Sequence, residues 1–386
     1  MRKIRVFISV IILICIAGLI AGCSSSSPIV PATFSSETVQ KMQQIVESTK
    51  SDYKLPGVIV GVWISGMGEW IYASGIGDTA TGQPVTSPDK MRIASITKTY
   101  TATVVLQLID EGKLTLDTKL DRFAPYVPLA DKITIRHLLN HTSGLFTYSG
   151  ETFTNTLLKD PKTVWTPRQL VDLGISQPAT NAPGEQHSYS NTNYILLGII
   201  IEQLTGNKVE DEVQKRILVP LGMNASSFPS TGTTKIQSPF SHGYWPSEAG
   251  VLRDITEIDP SSHWTSGAII SNIFDLRVWG EALAQGRLLS GKMQGERLNW
   301  VQNPHDSNKY YGLGIMRFGD FWGHDGTMPG YESLVYHLPS RNATIVVLMD
   351  GMRGKILGPP PEEIFKGIVE LLIPDAAAWK NASKKL

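Results

Sequence analysis

Cysteine is almost absent from this chain of 386 residues, which contains only Cys15 and Cys23. Beyond Cys23, no thiol remains to form a disulfide scaffold or a cysteine-bound metal cluster. The chain also lacks an excess of charge of one sign, because 35 basic and 35 acidic side chains give a formal net charge of zero. Surfaces that hold nucleic acid through its phosphates are usually strongly basic, so we expect no nucleic-acid partner. With 41% hydrophobic and 18% charged residues, the composition is that of a globular protein.

The N-terminus has the pattern of a targeting segment. Three basic residues precede an apolar run that ends in Ala21-Gly22, directly before Cys23. This order is typical of a secretory signal peptide, and the small pair before the cysteine resembles the lipobox of bacterial lipoproteins. We therefore expect residues 1–22 to be a lipoprotein signal peptide, Cys23 to be lipidated and residues 23–34 to be a flexible tether. The expected protein is exported and anchored to a membrane of the cell envelope, and an uncleaved signal anchor is the alternative.

Apolar patterns predict strands at both ends of the remaining chain and helices between them. The predicted strands are 57–65, 69–74, 332–338 and 343–349, and the main predicted helices are 36–50, 96–111, 134–140, 193–204, 273–284 and 361–372. The first helix is predicted to be capped by Ser36. This order predicts an α+β fold, in which the two ends of the chain form one antiparallel sheet with flanking helices and a mostly helical lobe is inserted.

A serine three residues before a lysine occurs three times. The copies are Ser51 and Lys54, Ser87 and Lys90, and Ser95 and Lys98. Prolines beside or within the first two copies make them poor helix starts, whereas Ser95 precedes an apolar segment typical of a buried helix. On a helix the two side chains share a face, and a buried Lys98 amine with a depressed pKa could deprotonate Ser95. A capping serine with a surface lysine is the alternative.

Two further short motifs contain side chains suited to catalysis or binding. Tyr189 and Asn191 lie in a loop that enters a predicted helix, where a phenol can move a proton and an amide can orient a substrate. His324 and Gly326 lie in a glycine-rich stretch before a predicted strand, where backbone groups can approach a ligand closely. Taken alone, these motifs are also compatible with a helix cap and with a Gly-Pro turn that exposes a histidine.

Together, the three motifs resemble those of the class C β-lactamase and D-Ala-D-Ala carboxypeptidase family. That family has Ser-x-x-Lys, Tyr-x-Asn and Lys-Thr-Gly or His-x-Gly in this order. The resemblance covers about residues 36–373 and is strongest to exported D,D-peptidases of the Streptomyces type. It implies a β-lactamase/D,D-peptidase-like catalytic domain over 35–375, with an α/β lobe formed by about 35–93 and 310–375 and a helical lobe over about 94–309.

The resemblance also implies a role for each motif residue. Ser95 would be the acylated nucleophile, Lys98 its base partner and Tyr189 the relay that protonates the leaving amine. The substrate-binding residues would be Asn191, His324, Gly326 and Thr327. The backbone N–H groups of Ser95 and Thr327 would form the oxyanion hole. No cofactor and no metal ion are implied.

Asp325 departs from the family pattern, since many members have a threonine or serine hydroxyl at this position. Two carboxylates 4 Å apart repel each other by about 1 kcal/mol in water and by more in a drier site. If Asp325 points into the cleft, substrates with a free carboxylate and β-lactams are both disfavoured. If it points away, Thr327 and Arg317 could hold such a carboxylate.

The sequence therefore predicts an exported serine hydrolase that acts through an acyl-enzyme. The activity most directly implied is that of a D-Ala-D-Ala carboxypeptidase on peptidoglycan-type peptides. An esterase, a D-amino-acid amidase or a β-lactamase on the same fold, and a catalytically silent wall-binding lipoprotein, are the alternatives. A zinc site at His137 and His141 is a weaker hypothesis, and the absence of Gly-x-Ser-x-Gly removes the α/β-hydrolase nucleophile motif.

Overall fold

The computed structural model describes residues 33–247, 250–351 and 360–379. The predicted signal peptide and the predicted lipidation site Cys23 lie outside the described residues. Within the described ranges, no helix combines the length and the hydropathy needed to cross a membrane.

The described residues form thirteen strands and twelve α-helices, with short 3₁₀ and π turns between them. The strands are β1 Gly57–Ile64, β2 Gly68–Asp78, β3 Gln83–Pro84, β4 Met91–Arg92, β5 Tyr244–Pro246, β6 Leu252–Asp254, β7 Ile270–Ser271, β8 Val301–Asn303, β9 Asp306–Tyr311, β10 Met316–Phe318, β11 Phe321–Met328, β12 Tyr331–Leu338 and β13 Ala343–Met349. The helices are α1 Ser36–Tyr53, α2 Thr97–Asp110, α3 Ile135–Leu139, α4 Glu151–Lys159, α5 Pro167–Ile175, α6 Asn191–Thr205, α7 Val209–Val213, α8 Val219–Leu221, α9 Trp264–Gly267, α10 Ile273–Gln285, α11 Gly291–Arg297 and α12 Pro360–Leu372.

One antiparallel sheet joins the two ends of the chain, as the sequence predicts. Its strand order is β3-β2-β1-β13-β12-β11-β10-β9-β8, and the central pair β1 and β13 aligns Val58 with Met349. The sheet also includes β8 and β9, so its C-terminal portion begins at Val301 rather than near residue 310. It therefore contains residues that the sequence assigns to the helical lobe. The residue pattern alone does not predict strand β11, because its glycines and polar residues interrupt the alternation of a half-buried strand. The family resemblance, by contrast, implies that the third motif lies on a strand.

The sheet is covered on both faces, which is why its central strands are apolar almost throughout. In β1, Val58, Val60 and Val62 pack into a core shared with α1 and α12. Ile59 and Trp63 point to the opposite face and join the larger core of the helical lobe. The period-2 alternation of strand side chains divides these residues between the two cores.

Helix α2 is buried nearly all round, as its sequence predicts. Several of its buried threonines donate to backbone carbonyl oxygens, as Thr103 Oγ1 does to Thr99 at 2.7 Å within the helix and Thr101 Oγ1 does to Thr265 at 2.8 Å outside it. Ser95 lies in the 3₁₀ turn Ala94–Ile96 that leads into α2 rather than in the α-helix itself. At α1, the predicted cap is wrong by one residue, because the side chain that accepts a helix N–H belongs to Ser35.

Candidate active site

Ser95 and Lys98 are in direct contact. Lys98 Nζ lies 3.0 Å from Ser95 Oγ, and its second neighbour is the Ser266 carbonyl oxygen at 2.8 Å. The lysine is fully buried. Burial lowers the pKa of Lys98 well below that of an ordinary lysine, and the charge of Asp325 opposes this effect only in part. A neutral amine one helical turn from a serine hydroxyl can accept its proton.

The other two serine and lysine copies have no such arrangement. Lys90 directs its ammonium to the carbonyl oxygens of Gln237 and Ser238, both at 3.1 Å. Lys54 is exposed and caps α1 in a left-handed conformation, with φ of 51°. Sequence context therefore identified the one copy of the three in which the described side chains meet.

Strand β11 lies close to the nucleophile because residue 326 is a glycine. A Cβ on Gly326 would lie 2.3 Å from the Ile93 carbonyl oxygen and 3.0 Å from the Ser95 backbone nitrogen. Ala94, directly before Ser95, has φ of 47°, a left-handed value that is unusual for a residue other than glycine. Both features bring the Ser95 backbone against β11, where the Thr327 backbone is also located.

One edge of β11 is open next to Ser95. Strand β12 pairs with β11 from Trp322 to Met328. On the other side, β10 pairs only as far as Gly323, so no described strand pairs with residues 324–328 on that edge. An extended substrate can hydrogen-bond to such an edge as an added strand.

Tyr189 and Asn191 approach Ser95 from the helical lobe. Tyr189 and Ser95 line the same cavity. Although Tyr189 is 37% exposed, desolvation of its phenol raises the pKa of Tyr189 well above its usual value, and the nearby Ser95 hydroxyl opposes this effect. Lys98 Nζ is 5.0 Å from the centre of the Tyr189 ring. Asn191 is the first residue of α6 and donates through Nδ2 to Ser149 Oγ. Its Oδ1 is buried and has no hydrogen-bond partner among the described residues.

His324 lies behind the cleft rather than on its surface. Its ring is fully buried, with Nε2 2.9 Å from the Tyr311 hydroxyl and Nδ1 in contact with the Asp325 carbonyl oxygen. Burial lowers the pKa of His324 to about 3, so the ring is neutral at physiological pH. In this position the ring supports Tyr311 and the β11 backbone. The predicted role of His324 in direct substrate binding stays a prediction.

Two cavities meet at Ser95, Asn191 and Thr327. The Asp325 cavity, of about 360 Å³, is also lined by Tyr189, Lys309 and Asp325. The Trp245 cavity, of about 210 Å³, is also lined by Trp245, His263 and Ser266. The predicted nucleophile therefore stands where two separate parts of a substrate can be held, one on each side of it.

Asp325 points into the cleft, and its side chain is 33% exposed. Burial raises the pKa of Asp325, whereas the Lys309 ammonium lowers it. Apart from its own backbone N–H, no described residue donates a hydrogen bond to this carboxylate. Arg317 does not line either cavity, since it donates to the Gly319 carbonyl oxygen at 2.7 Å and contacts Asp320.

Several residues of the site carry no signal in the sequence. The Ser266 carbonyl lies 168 positions from Lys98, and Lys309 and His263 lie on segments without a recognisable motif. His263 Nδ1 is 2.9 Å from Ser262 Oγ, whose hydroxyl donates to the Asp259 carbonyl oxygen. Only the fold brings these groups to the cleft.

The two histidines of the zinc hypothesis accept hydrogen bonds from backbone N–H groups instead. His137 Nδ1 accepts from the Thr134 N–H at 3.3 Å in a capping box, and His141 Nδ1 accepts from the Ser190 N–H at 3.1 Å. In the part of the chain that the structure describes, no group of three or more potential ligand side chains is placed to hold a metal ion.

Comparisons with known proteins agree with this geometry. The Beta-lactamase family model matches residues 39–358. Penicillin-binding protein 4* of Bacillus subtilis is 28% identical over 72% of this chain, and a D-aminopeptidase of Brucella anthropi is 28% identical over 80%. The alignments span 64% and 59% of the lengths of these two relatives. A D-stereospecific amidohydrolase from Streptomyces sp. superposes with a TM-score of 0.77 and 30% identity, covering 87% of this chain and 98% of that structure.

Proposed function

This chain belongs to the beta-lactamase family and is a serine hydrolase of that family, and we propose that it is an amidase that releases an amine from a D-aminoacyl group. The observation that favours an amidase over a carboxypeptidase is the Asp325 carboxylate, which lines the same cavity as Ser95. A terminal carboxylate of the substrate would meet a like charge there. The likeness to a D-aminopeptidase and to a D-stereospecific amidohydrolase supports the same choice.

The proposed reaction begins with proton transfer within the Ser95 and Lys98 pair. The neutral Lys98 amine takes the hydroxyl proton while Ser95 Oγ attacks the substrate carbonyl carbon. The backbone N–H groups of Ser95 and Thr327 stabilise the negative oxygen that forms. The C–N bond then breaks, and the Tyr189 phenol, kept protonated by its raised pKa, supplies a proton to the departing nitrogen. The proton on Lys98 then restores the Tyr189 phenol. In the second half of the reaction, water attacks the acyl carbon and gives one proton to the neutral Lys98 amine, which returns it to Ser95 Oγ as the ester bond to Ser95 breaks and the free acid departs.

A D-Ala-D-Ala carboxypeptidase is the second candidate. Lys309 and Thr327 also line the Asp325 cavity and are the groups there that could hold a terminal carboxylate. The likeness to penicillin-binding protein 4* supports this alternative. Against it, the Lys309 ammonium already pairs with Glu362 at 2.5 Å.

One substrate panel tests both candidates. The full chain and Ser95→Ala are incubated with D-phenylalanine amide, N-acetyl-D-Ala-D-Ala, a p-nitrophenyl ester and a penicillin, and turnover and intact mass are recorded. We expect the amide to be hydrolysed faster than the dipeptide, with an acyl adduct on Ser95 only. The reverse order favours the carboxypeptidase, turnover by Ser95→Ala excludes this nucleophile, and no adduct or turnover supports the silent wall-binding alternative.

We also propose, from the N-terminal sequence, that the protein is exported and lipid-anchored at Cys23. The mature protein would then lack residues 1–22 and carry the mass of a lipid on its first residue. Mass spectrometry of the N-terminal peptide from membranes tests this, with Cys23→Ser as the control that loses the lipid. An unmodified N-terminal peptide that retains residues 1–22 contradicts the proposal.

A further inference from the structure

We propose that Asp325 makes the enzyme select leaving groups that carry a positive charge, so that its substrates are amides of amines with a second, cationic nitrogen. This inference rests on the proposed amidase function and specifies its substrate class. It concerns the part of the substrate that departs rather than the acyl group that stays on Ser95.

Tyr189 identifies the cavity that receives the leaving group. Its phenol is close enough to Ser95 for the serine hydroxyl to affect the pKa of Tyr189, whereas Lys98 is buried beneath the serine and does not line either cavity. Tyr189 is therefore the described acid that can protonate the departing nitrogen from within the cleft. It lines the Asp325 cavity and is not among the residues that line the Trp245 cavity. The amine consequently departs towards Asp325, and the acyl group occupies the Trp245 side.

The Asp325 carboxylate is available to a ligand because the cation beside it is already paired. Lys309 Nζ lies 2.5 Å from Glu362 Oε2 and 4.0 Å from Asp306 Oδ2. Lys98 contributes little positive charge, since burial favours its neutral form. Glu362 also pairs with Lys366 Nζ at 2.6 Å, and the Lys309 ammonium still lowers the pKa of Asp325. The Lys309 charge therefore offsets that of Asp325 only in part, because its direct ion pairs are with Glu362 and Asp306.

The side-chain hydrogen-bond acceptors of Asp325 and Asn191 at this cavity also receive no hydrogen bond from another described side chain. Asn191 lines both cavities, and its buried Oδ1 has no hydrogen-bond partner among the described residues. The accessible acceptor of the two is the Asp325 carboxylate, which a donor-rich ammonium can satisfy and a carboxylate cannot. Opposite unit charges about 4 Å apart correspond to roughly a fivefold preference in water and to more in a partly dry cleft.

Three amides with one D-phenylalanyl group and leaving groups of similar length test the inference. The 2-aminoethylamide has a cationic leaving group, the propylamide a neutral one, and D-phenylalanyl-glycine an anionic one. For the wild type we expect kcat/KM to fall in that order, with roughly a tenfold step between the cation and the neutral amide. In Asp325→Asn the cation-to-neutral ratio should fall to about one, and Asp325→Glu, which keeps the charge, should retain the preference.

Asp320→Asn is the matched control, because Asp320 is exposed, contacts Arg317 and lies outside both cavities. Asp320→Asn should leave the ratios of kcat/KM among the three amides unchanged. Equal rates for the three amides, or a cation preference that survives in Asp325→Asn, overturn the inference while the amidase function stands. If none of the amides is hydrolysed and N-acetyl-D-Ala-D-Ala is, the proposed function itself fails. Circular dichroism of each variant separates misfolding from a change in selectivity.

Discussion

The imidazole of His141 packs on the phenol ring of Tyr189, with ring centroids 4.2 Å apart. The same imidazole accepts a hydrogen bond from the backbone N–H of Ser190, the residue directly after Tyr189. His141 is buried and has φ of 60°, so its ring is held in place by a constrained turn. We infer that His141 positions Tyr189 without contacting the substrate.

His141→Ala should therefore reduce kcat/KM by roughly tenfold to a hundredfold, because Tyr189 loses the ring that orients it. A double-mutant cycle with Tyr189→Phe separates this role from a general loss of stability. In the Tyr189→Phe background, the His141→Ala substitution should cost much less activity than in the wild type. Equal losses in both backgrounds would indicate that His141 acts independently of Tyr189.

The pH dependence of the reaction should reflect the unusual protonation of the site. Lys98 acts as a base only when neutral, so kcat/KM should fall as the pH drops through its lowered pKa and reach a plateau above it. Tyr189 must stay protonated, and its raised pKa removes an alkaline loss near pH 10. Burial lowers the pKa of His263 and of His324 to about 3, so neither adds a titration near neutrality.

A neutral p-nitrophenyl ester measured across the stable pH range, with its background hydrolysis subtracted, provides this profile. Lys98→Met, which keeps the apolar stem and removes the amine, should lower kcat/KM by roughly 10² to 10⁴. Activity that rises only near the pKa of an ordinary lysine would contradict a neutral Lys98 in the resting enzyme.

We expect Gly326→Ala to lose activity while the protein still folds. The added methyl group would meet the Ile93 carbonyl oxygen at 2.3 Å, so β11 must move away from the segment that contains Ser95. Because both proposed oxyanion donors depend on this contact, we expect at least a hundredfold loss of kcat/KM.

Gly295→Ala is the matched control for Gly326→Ala, since a Cβ on this helical glycine meets nothing within 4 Å. It should keep full activity and gain slightly in stability from the higher helix propensity of alanine. Wild-type turnover by a folded Gly326→Ala protein would show that the close approach of β11 is not needed for catalysis.

The parts of the fold that could be predicted are those with a strong local pattern. The apolar residues of β1, β12 and β13 specify buried strands, and the family resemblance specifies how they combine in one sheet. Strand β11 has the sequence FWGHDGTM, whose glycines and polar residues give no strand signal. It forms a strand because β12 pairs with it along its length and because Gly326 lets it approach Ser95.

In the site, the contact between Ser95 and Lys98 could be predicted because both residues belong to one helical turn. The direction of Asp325 could not, since sequence alone leaves the face of an unrecognised strand undetermined. The pairing of Lys309 with Glu362 joins residues 53 positions apart and has no motif. The arrangement of charges around the proposed leaving group could therefore be identified only from the folded structure.

Glu332, on β12 opposite Thr327, should make folding stability depend on pH. It is 4% exposed, and its Oε2 has no partner among the described residues. Burial, and to a lesser extent Asp325, raise its pKa from 4.5 to about 8. The folded state therefore binds a proton that the unfolded chain releases between these values, and the free energy of unfolding should fall by about 1.4 kcal/mol per pH unit there.

Glu332→Gln remains neutral at every pH and should not show this loss. Denaturant unfolding at pH 5, 7 and 9 should give a variant that is more stable than the wild type at pH 9, with the difference narrowing towards pH 5. Glu69→Gln, at an exposed side chain of β2, should follow the wild-type pH dependence. If Glu332→Gln and the wild type lose stability in parallel from pH 5 to 9, the Glu332 carboxyl is already ionised in the folded protein at neutral pH.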